Sequence, residues 1–169
     1  SVCLDPEVDA VVIATRHVSH ADLTRESLSA GKHTFCEKPL ALSADDLDGV
    51  LKAAQGSRRV LAVGFNRRFA PMMRDVQAHI AAVPGPITAT FRVSAGHLDA
   101  DHWTNDLEQG GGRLLGEGCH FIDTLRYLVG HQIETVSAVA HSGPNVPAQA
   151  RDCLLMNLTF VDGSIGQVT

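Results

Sequence analysis

The apolar and polar positions in the first third of the chain alternate between strand and helix periods. Apolar runs separated by amphipathic stretches give strands at 10–14, 33–36 and 60–63 and helices at 19–30 and 43–56. Runs without alternation are typical of strands that are buried on both faces of a sheet. Strands that alternate with helices through short connections require parallel pairing and right-handed crossovers. The pattern therefore predicts half of a doubly wound parallel sheet.

The periodicity changes beyond the third strand and the helix that follows it. Residues 87–94 alternate apolar and polar positions without interruption, which predicts an antiparallel strand with one face in solvent. The rest of the chain gives a helix at 114–129 and strands at about 133–140, 152–161 and 164–168. The Asp162-Gly163 pair is typical of a hairpin. We therefore predict two domains, a parallel α/β piece over 1–83 and a mostly antiparallel α+β piece over 84–169.

Composition and charge exclude several classes of function. The chain has 14 Lys and Arg against 19 Asp and Glu, a formal charge of −5, and no basic run, so we expect no nucleic-acid partner. No apolar stretch is long enough to cross a bilayer, so we expect no membrane partner, and the N-terminus lacks the pattern of a signal peptide. Four cysteines without a Cys-x-x-Cys pair are typical of reduced thiols, which favours the cytoplasm.

Both ends of the chain have the pattern of an unfinished fold. Residues 1–9 resemble the end of a helix and a loop that leads into a strand, and the last strand stops without a polar segment. Three parallel strands alone would also leave a long apolar edge unpaired. We therefore expect sequence to be missing on both sides, above all the half of the sheet that would carry a glycine-rich phosphate loop.

Polar side chains follow each of the three parallel strands. The first strand leads into Thr15-Arg16-His17 and then His20, the second into Glu37-Lys38-Pro39, and the third into 64–68. Ligands of open parallel sheets bind beyond the carboxyl ends of the strands, so these groups converge on one edge. Lys38 is the strongest acid–base candidate, because its short connection before a proline would hold it in place. A solvated loop explains the same residues about equally well.

A second group of candidates lies in the glycine-rich segment 110–123. Its glycines resemble a dinucleotide loop, but the residues before them are loop-like, so we reject that interpretation. Two later glycines suggest the close approach of a ligand or another backbone. Glu117, His120 and Asp123 follow at i, i+3, i+6 spacing without a complete ligand set, so we expect no metal. A histidine in such a helix is also commonly a hydrogen-bonded structural residue.

Three motifs occur in a fixed order along the chain. They are Val11-Val12-Ile13-Ala14-Thr15 with His20-Ala21, Ala30-Gly31-Lys32-His33 and Glu37-Lys38-Pro39-Leu40-Ala41; Gly64-Phe65-Asn66-Arg67-Arg68-Phe69; and the glycine-rich segment ending in Gly118-Cys119-His120-Phe121-Ile122-Asp123. Together they resemble the glucose-fructose oxidoreductase, inositol dehydrogenase and MocA (Gfo/Idh/MocA) family. The likeness covers nearly the whole chain. Ala100-Asp101-His102-Trp103 together with Gly116-Glu117-Gly118-Cys119-His120-Phe121-Ile122-Asp123 further resembles a subgroup sometimes fused behind a medium-chain alcohol-dehydrogenase-like module.

The resemblance implies a partial Rossmann domain followed by an open, mostly antiparallel α/β domain whose sheet forms homo-oligomers. It implies a nicotinamide cofactor, NAD or NADP, and hydride transfer at a secondary alcohol of a sugar, polyol or related small molecule. It also implies that Lys38 and His120 are catalytic, meet across a cleft between two lobes, and exchange the proton of the substrate hydroxyl. The Lys38-Pro39 peptide is often cis in such enzymes.

The same resemblance assigns the other site residues. Cofactor contacts are expected from Thr15, His17, His20, Glu37, Lys38, Asn66 and Arg67. Substrate contacts are expected from Trp103, Glu117 and Asp123.

One position departs from the family. Many relatives carry an aspartate four residues before the histidine, where this chain has Gly116, and Glu117 projects about 100° away around the helix. The departure leaves the substrate class open. It also keeps two alternatives, a non-catalytic nucleotide-sensing or assembly module of the same fold and a metal-dependent hydrolase that uses the histidine-rich loops.

Overall fold

The computed structural model describes residues 2–99, 101–145 and 153–169. Their contacts divide the chain into two compact units, a first unit of Ser1–Phe65 with Trp103–Gly116 and a second unit of Asn66–His102 with Glu117–Thr169. The predicted boundary near residue 83 stays a prediction. Neither unit is continuous in sequence, because Trp103–Gly116 folds with the first third of the chain.

The first unit is built on a three-stranded parallel sheet. Its strands and helices are β1 (Ala10–Ile13), α1 (His20–Ser29), β2 (His33–Cys36), α2 (Ala44–Gly56) and β3 (Leu61–Val63). The strand order is β1-β2-β3, and both pairings are parallel, which confirms the predicted α/β arrangement. The predicted cap of α2 is also present, since the Ser43 hydroxyl accepts a hydrogen bond from the Asp46 amide at 3.1 Å.

Only one face of this sheet is covered by helices in the described residues. α1 packs on the face that carries Thr34 and Cys36, where the Thr34 hydroxyl donates to the Ser27 hydroxyl at 2.8 Å, and α2 packs on α1. On the opposite face Val12 is 72% exposed. The prediction that the continuous apolar strands are buried on both faces is therefore wrong for β1, because both helices lie on one side.

The described residues of the second unit form a four-stranded sheet and two α-helices. Its elements are α3 (Pro71–Ala81), β4 (Thr88–Phe91), α4 (Cys119–Val129), β5 (Ile133–Ala140), β6 (Leu154–Phe160) and β7 (Ile165–Val168). The strand order is β4-β7-β6-β5, and the Asp162-Gly163 turn joins β6 to β7 as predicted. Residue 152, where the strand before this turn was expected to begin, lies outside the described residues, as does Ala100 of the motif at 100–103.

The direction of β4 differs from the prediction. β5–β6 and β6–β7 are antiparallel, but β4 pairs with β7 in parallel. Alternation of apolar and polar side chains indicates that one face of a strand is exposed to solvent. It carries no information about the direction of the strand that pairs with it. The long connection from β4 through α4 to β7 provides the crossover that a parallel pair needs.

A hydrophobic core between α4 and the sheet holds the second unit together. Phe121 and Leu125 of α4 pack on the inward side chains of β6 and β7, which are Met156, Leu158, Phe160 and Val168. α4 follows a π-helical turn at Leu114–Gly118, and Gly130, with φ of 76°, ends it as predicted. Within the described ranges no helix is both long enough and apolar enough to cross a membrane.

Candidate active site

The connections after β1 and β2 carry the candidate residues of the first unit. The two strand ends are joined because the Glu37 amide donates to the Ile13 carbonyl at 2.9 Å. Thr15 is exposed directly after β1, and Lys38 is half-buried after β2. The Lys38-Pro39 peptide is cis, in agreement with the resemblance. The polar groups predicted for this edge of the sheet are therefore neighbours.

The ammonium group of Lys38 is fixed by a backbone carbonyl. Its Nζ donates a hydrogen bond to the carbonyl oxygen of Gly116 at 2.8 Å. The two residues are 78 positions apart, and the bond joins the connection after β2 to the segment Trp103–Gly116 of the same unit. Lys38 is therefore a held cation rather than a loosely solvated loop lysine, which is what a group that exchanges a proton at one substrate atom requires.

His17 is buried beside the same segment. Its side chain is 8% exposed, and its Nδ1 lies 2.8 Å from the carbonyl oxygen of Gly110. The ring also meets Trp103 edge-on, with centroids 4.7 Å apart and planes at 71°. Because a carbonyl oxygen only accepts hydrogen bonds, Nδ1 is the protonated nitrogen. His17 and Trp103, both predicted site residues, are thus in direct contact.

His20, the first residue of α1, bridges two connections of the sheet. Its ring is 1% exposed, with Nδ1 2.8 Å from the Pro39 carbonyl oxygen and Nε2 3.0 Å from the Thr15 carbonyl oxygen. Burial by itself lowers the pKa of His20, but hydrogen bonds with Cys36 and with the two carbonyls raise this pKa to about 9. The geometry and the pKa both indicate a ring that carries two N–H groups.

Glu37 lies over a glycine at the end of β3. A Cβ atom added to Gly64 would stand 2.9 Å from the Oε2 atom of Glu37, so the missing side chain makes room for the carboxylate. The same carboxylate accepts a hydrogen bond from the Lys38 amide at 3.3 Å. This arrangement places a carboxylate acceptor close to the ends of β2 and β3.

The second unit holds the other predicted site residues. Arg68 forms an ion pair with Asp123 through two hydrogen bonds, and in one of them Nε donates to Oδ2 at 2.9 Å. The Asp123 carboxylate raises the pKa of Arg68 above its ordinary value. The guanidinium of Arg67 lies over the ring of Phe121 at 4.6 Å. His120 is buried at the start of α4, whereas Asn66 and Glu117 are exposed. Asp123 is thus held by Arg68, and its role as a substrate contact stays a prediction.

The predicted site residues are divided between the two units. The first unit brings together Thr15, His17, His20, Glu37, Lys38 and Trp103; the second contains Asn66, Arg67, Glu117, His120 and Asp123. The expected meeting of Lys38 with His120 joins one unit to the other and stays a prediction. Among the residues that the structure describes, no three His, Cys, Asp or Glu side chains come together as metal ligands do.

Several partners of these residues were missed at the level of sequence. The carbonyl groups of Gly110 and Gly116 hold His17 and Lys38, and Arg68 holds Asp123. A backbone carbonyl leaves no signal in side-chain chemistry, so the first two could not be found. Arg68 was visible as part of a polar motif after β3, but nothing in the spacing identified Asp123 as its partner.

Both parts of the chain match models of one family. Residues 1–65 match the family described as "Oxidoreductase family, NAD-binding Rossmann fold", and residues 84–169 match the "GFO/IDH/MocA C-terminal domain". The first of these descriptions names the class of cofactor that the sequence predicted.

Curated relatives share about a third of the residues. The chain is 30% identical over 169 residues to the uncharacterized oxidoreductase YrbE of Bacillus subtilis, covering 97% of this chain and 49% of the relative. It is 36% identical over 135 residues to an inositol 2-dehydrogenase of Rhizobium meliloti, covering 79% of this chain and 40% of the relative. The chain thus spans about half the length, or less, of these proteins.

Solved structures agree with this assignment. A levoglucosan dehydrogenase in complex with NADH and L-sorbose has a TM-score of 0.85 and 27% identity, covering 99% of this chain and 49% of that one. A probable dehydrogenase from Thermotoga maritima has a TM-score of 0.82 and 28% identity, covering 98% of this chain and 51% of that one. The matched models, the shared fold and the ordered motifs show that this chain belongs to the Gfo/Idh/MocA oxidoreductase family.

Proposed function

We propose that the whole protein transfers hydride between NAD or NADP and a secondary alcohol of a sugar, polyol or related small molecule. The observation that carries the proposal is the Lys38 ammonium, held by the Gly116 carbonyl at 2.8 Å beside the strand ends where such folds bind ligands. Relatives named as inositol dehydrogenases and a levoglucosan dehydrogenase bound to NADH support this substrate class and cofactor.

The residues of the first unit fit the nicotinamide end of such a cofactor. The hydroxyl of Thr15 donates to the Ser19 hydroxyl at 2.6 Å, because the Ser19 proton goes to the Arg16 carbonyl. The Thr15 oxygen and the half-buried carboxylate of Glu37 therefore supply acceptors for ribose hydroxyls at the strand ends. Gly64 leaves open the space in which the carboxylate lies. We propose that these residues and His17 line the cofactor, with Asn66 and Arg67 of the second unit at its nicotinamide end. When bound, the nicotinamide supplies the hydride acceptor or donor.

The chain itself handles the proton. We propose that Lys38 and His120 hold the reacting hydroxyl and exchange its proton, while Trp103, Glu117 and Asp123 contribute to the substrate pocket. Asp123 would act through its ion pair with Arg68, since Arg68 already occupies both carboxylate oxygens. A group that is fixed before substrate arrives loses little freedom in the reaction, which is the contribution we assign to the Lys38–Gly116 bond.

A second function is favoured by one specific residue. Gly116 supplies no side chain to the site, so a nucleotide-sensing or assembly module that binds cofactor without turnover is the alternative. It predicts that Lys38→Met leaves every measurable property of the protein unchanged except cofactor affinity. The oxidoreductase proposal predicts loss of turnover instead.

The decisive experiment compares substitutions at two of the three lysines of this chain, which are Lys32, Lys38 and Lys52. The full-length protein is assayed for NADH and NADPH formation with inositols, levoglucosan and related sugars. Lys38→Met should lower turnover at least about 100-fold with modest change in cofactor affinity. Lys52→Met, on the exposed side of α2, is the matched control and should behave as wild type. Near-normal turnover of the Lys38 variant would overturn the proposal.

We also propose that the protein forms homo-oligomers through the open face of its second sheet. Neighbouring side chains on that face are uncharged and already bonded across the strands, with Gln167 donating to Asn157 at 3.0 Å and Thr135 bonded to Thr159 at 2.6 Å. Such a face suits contact with a second copy of the chain, because an isologous interface between two copies of this face brings no like charges together. Asn157→Lys should shift the full-length protein towards the monomer in light scattering, and an unchanged mass would refute this surface.

We further propose a cytoplasmic location. Among the residues that the structure describes, none of the four cysteines forms a disulfide with another, which is typical of a reducing compartment.

A further inference from the structure

We propose that His20 is a positioning residue for Lys38, because its ring donates hydrogen bonds from both nitrogens and ties the connection after β2 to the connection after β1. This inference rests on the proposed role of Lys38 in proton exchange. His20 itself touches neither cofactor nor substrate in this proposal, which replaces the expectation that it contacts the cofactor.

The backbone on both sides of Lys38 is fixed by other elements. On one side the Glu37 amide is bonded to the Ile13 carbonyl of β1 at 2.9 Å. On the other side the Pro39 carbonyl accepts from Nδ1 of His20 at 2.8 Å. The ammonium then reaches the Gly116 carbonyl at 2.8 Å. With its backbone held at two points, the side chain of Lys38 projects in one direction.

The ring of His20 is buried and is bonded at both of its nitrogens. His20 is 1% exposed and begins α1, a helix whose buried residues include Thr24, Ser27 and Leu28. Its Nε2 lies 3.0 Å from the Thr15 carbonyl, so the same ring also fixes the exit of β1. A shift of α1 or a loss of the ring would therefore release the connections that carry Thr15 and Lys38 together.

Only a protonated imidazole satisfies both carbonyls. Each carbonyl oxygen accepts and cannot donate, so a neutral ring would turn one lone pair towards an oxygen in a buried site. The groups near the ring are the Cys36 thiol, whose Sγ donates to the Glu37 carbonyl at 3.3 Å, and the ring of His17, whose centroid is 5.6 Å away. In asparagine and glutamine both N–H donors belong to one nitrogen. Neither side chain can therefore reach both the Pro39 and the Thr15 carbonyls, which lie on opposite sides of the His20 ring.

The first test needs no variant. The full-length protein, labelled with 15N at histidine side chains, is studied by NMR at pH 7.5 without ligand. Both ring nitrogens of His20 should show the chemical shifts of protonated nitrogens, with N–H protons that exchange slowly. A bare nitrogen on His20 at this pH would overturn the two-donor bridge and the inference with it.

The second test measures the position of Lys38 and its consequence. His20→Gln should lower kcat 10- to 100-fold, the effect expected of a displaced catalytic group, with a change in KM below about 3-fold. In protein labelled with 13C at lysine Cε, the Lys38 signal should move in this variant while those of Lys32 and Lys52 stay. Thr24→Val is the matched control in the same helix, since Thr24 is also fully buried and its hydroxyl has no hydrogen-bond partner among the described residues.

The outcomes separate this inference from the proposed function. An inactive Lys38→Met enzyme together with a fully active His20→Gln enzyme would refute the positioning role and leave the oxidoreductase proposal intact. A fully active Lys38→Met enzyme would refute the proposed function, whatever the His20 spectrum shows. If His20→Gln fails to fold, the wild-type 15N spectrum still decides whether the bridge exists.

Discussion

The imidazole ring of His17 fills the space in which a side chain at Gly116 would lie. A Cβ atom added to Gly116 would stand 3.1 Å from the Cε1 atom of His17, closer than ordinary van der Waals contact. The ring cannot move aside freely, because it is bonded to the Gly110 carbonyl and packed edge-on against Trp103. A side chain at position 116 and the ring of His17 would therefore compete for the same space.

This contact predicts a coupled pair of substitutions. Gly116→Asp should destabilise the chain by about 1–3 kcal/mol, because the new side chain overpacks a filled site. Removing the ring should relieve much of this cost, so that Gly116→Asp in a His17→Ala background is less harmful by at least about 1 kcal/mol. Urea unfolding of the two single variants and the double variant measures the coupling.

The control for this cycle is Gly56→Ala. Gly56 is exposed at the end of α2, and an added Cβ would meet nothing within 4 Å. That substitution should leave stability unchanged or raise it slightly, whether or not His17 is present. Strictly additive effects of the changes at 17 and 116 would show that the two positions do not compete for space.

The ring of His20 predicts that stability falls in alkaline solution. Its pKa is raised from 6.5 to about 9 in the folded chain, so the stabilisation is fully present below pH 6.5 and is lost as the pH rises through about 9. That difference in pKa corresponds to about 3 kcal/mol at most. Urea unfolding at pH 6, 7.5 and 9.5 should show the decline in wild type.

His20→Gln serves as the comparison for this pH profile. Glutamine does not titrate, so the variant should be less stable than wild type at pH 6 and should approach it at pH 9.5. Parallel stability profiles of the two proteins across this range would mean that folding does not change the pKa of His20.

Local signals account for what the sequence predicted well. The Ser43–Asp46 cap and the Asp162-Gly163 turn involve residues close in the chain, and both are present where expected. The direction of β4 depends on its distant neighbour β7, and alternation within β4 carries no trace of it. The bond from Lys38 to Gly116 is hidden for the same reason, since its acceptor is a carbonyl 78 residues away. Spacing identified the chemical groups of the site, and only the fold could show what holds them.

The ion pair of Arg68 with Asp123 predicts a measurable loss when one partner is neutralised. The side chains are 33% and 10% exposed, so Asp123→Asn leaves a partly desolvated guanidinium without its charge partner. We expect a loss of about 1–3 kcal/mol in the free energy of unfolding, the range for a polar group left unsatisfied. Thermal and urea unfolding both measure it.

The exposed pair Arg25–Asp22 is the matched control for this experiment. Its side chains are 40% and 72% exposed, and solvent screens such pairs, so Arg25→Met should cost less than about 0.5 kcal/mol. Equal losses for the two pairs would show that burial of Asp123 contributes nothing to its interaction with Arg68.

The last prediction concerns cofactor binding by the 169-residue chain alone. Pyrophosphate binding in this class of fold uses a glycine-rich loop between a strand and a helix N-terminus. The glycine run at 110–112 does not follow a strand, and its first carbonyl is occupied by His17. Calorimetry with NADH should therefore detect no binding in the micromolar range, while the full-length protein binds under the same conditions. Micromolar binding to the short chain would mean that the groups after β1 and β2, with Thr15, Glu37 and Lys38, are enough to hold a dinucleotide without phosphate contacts from a glycine loop.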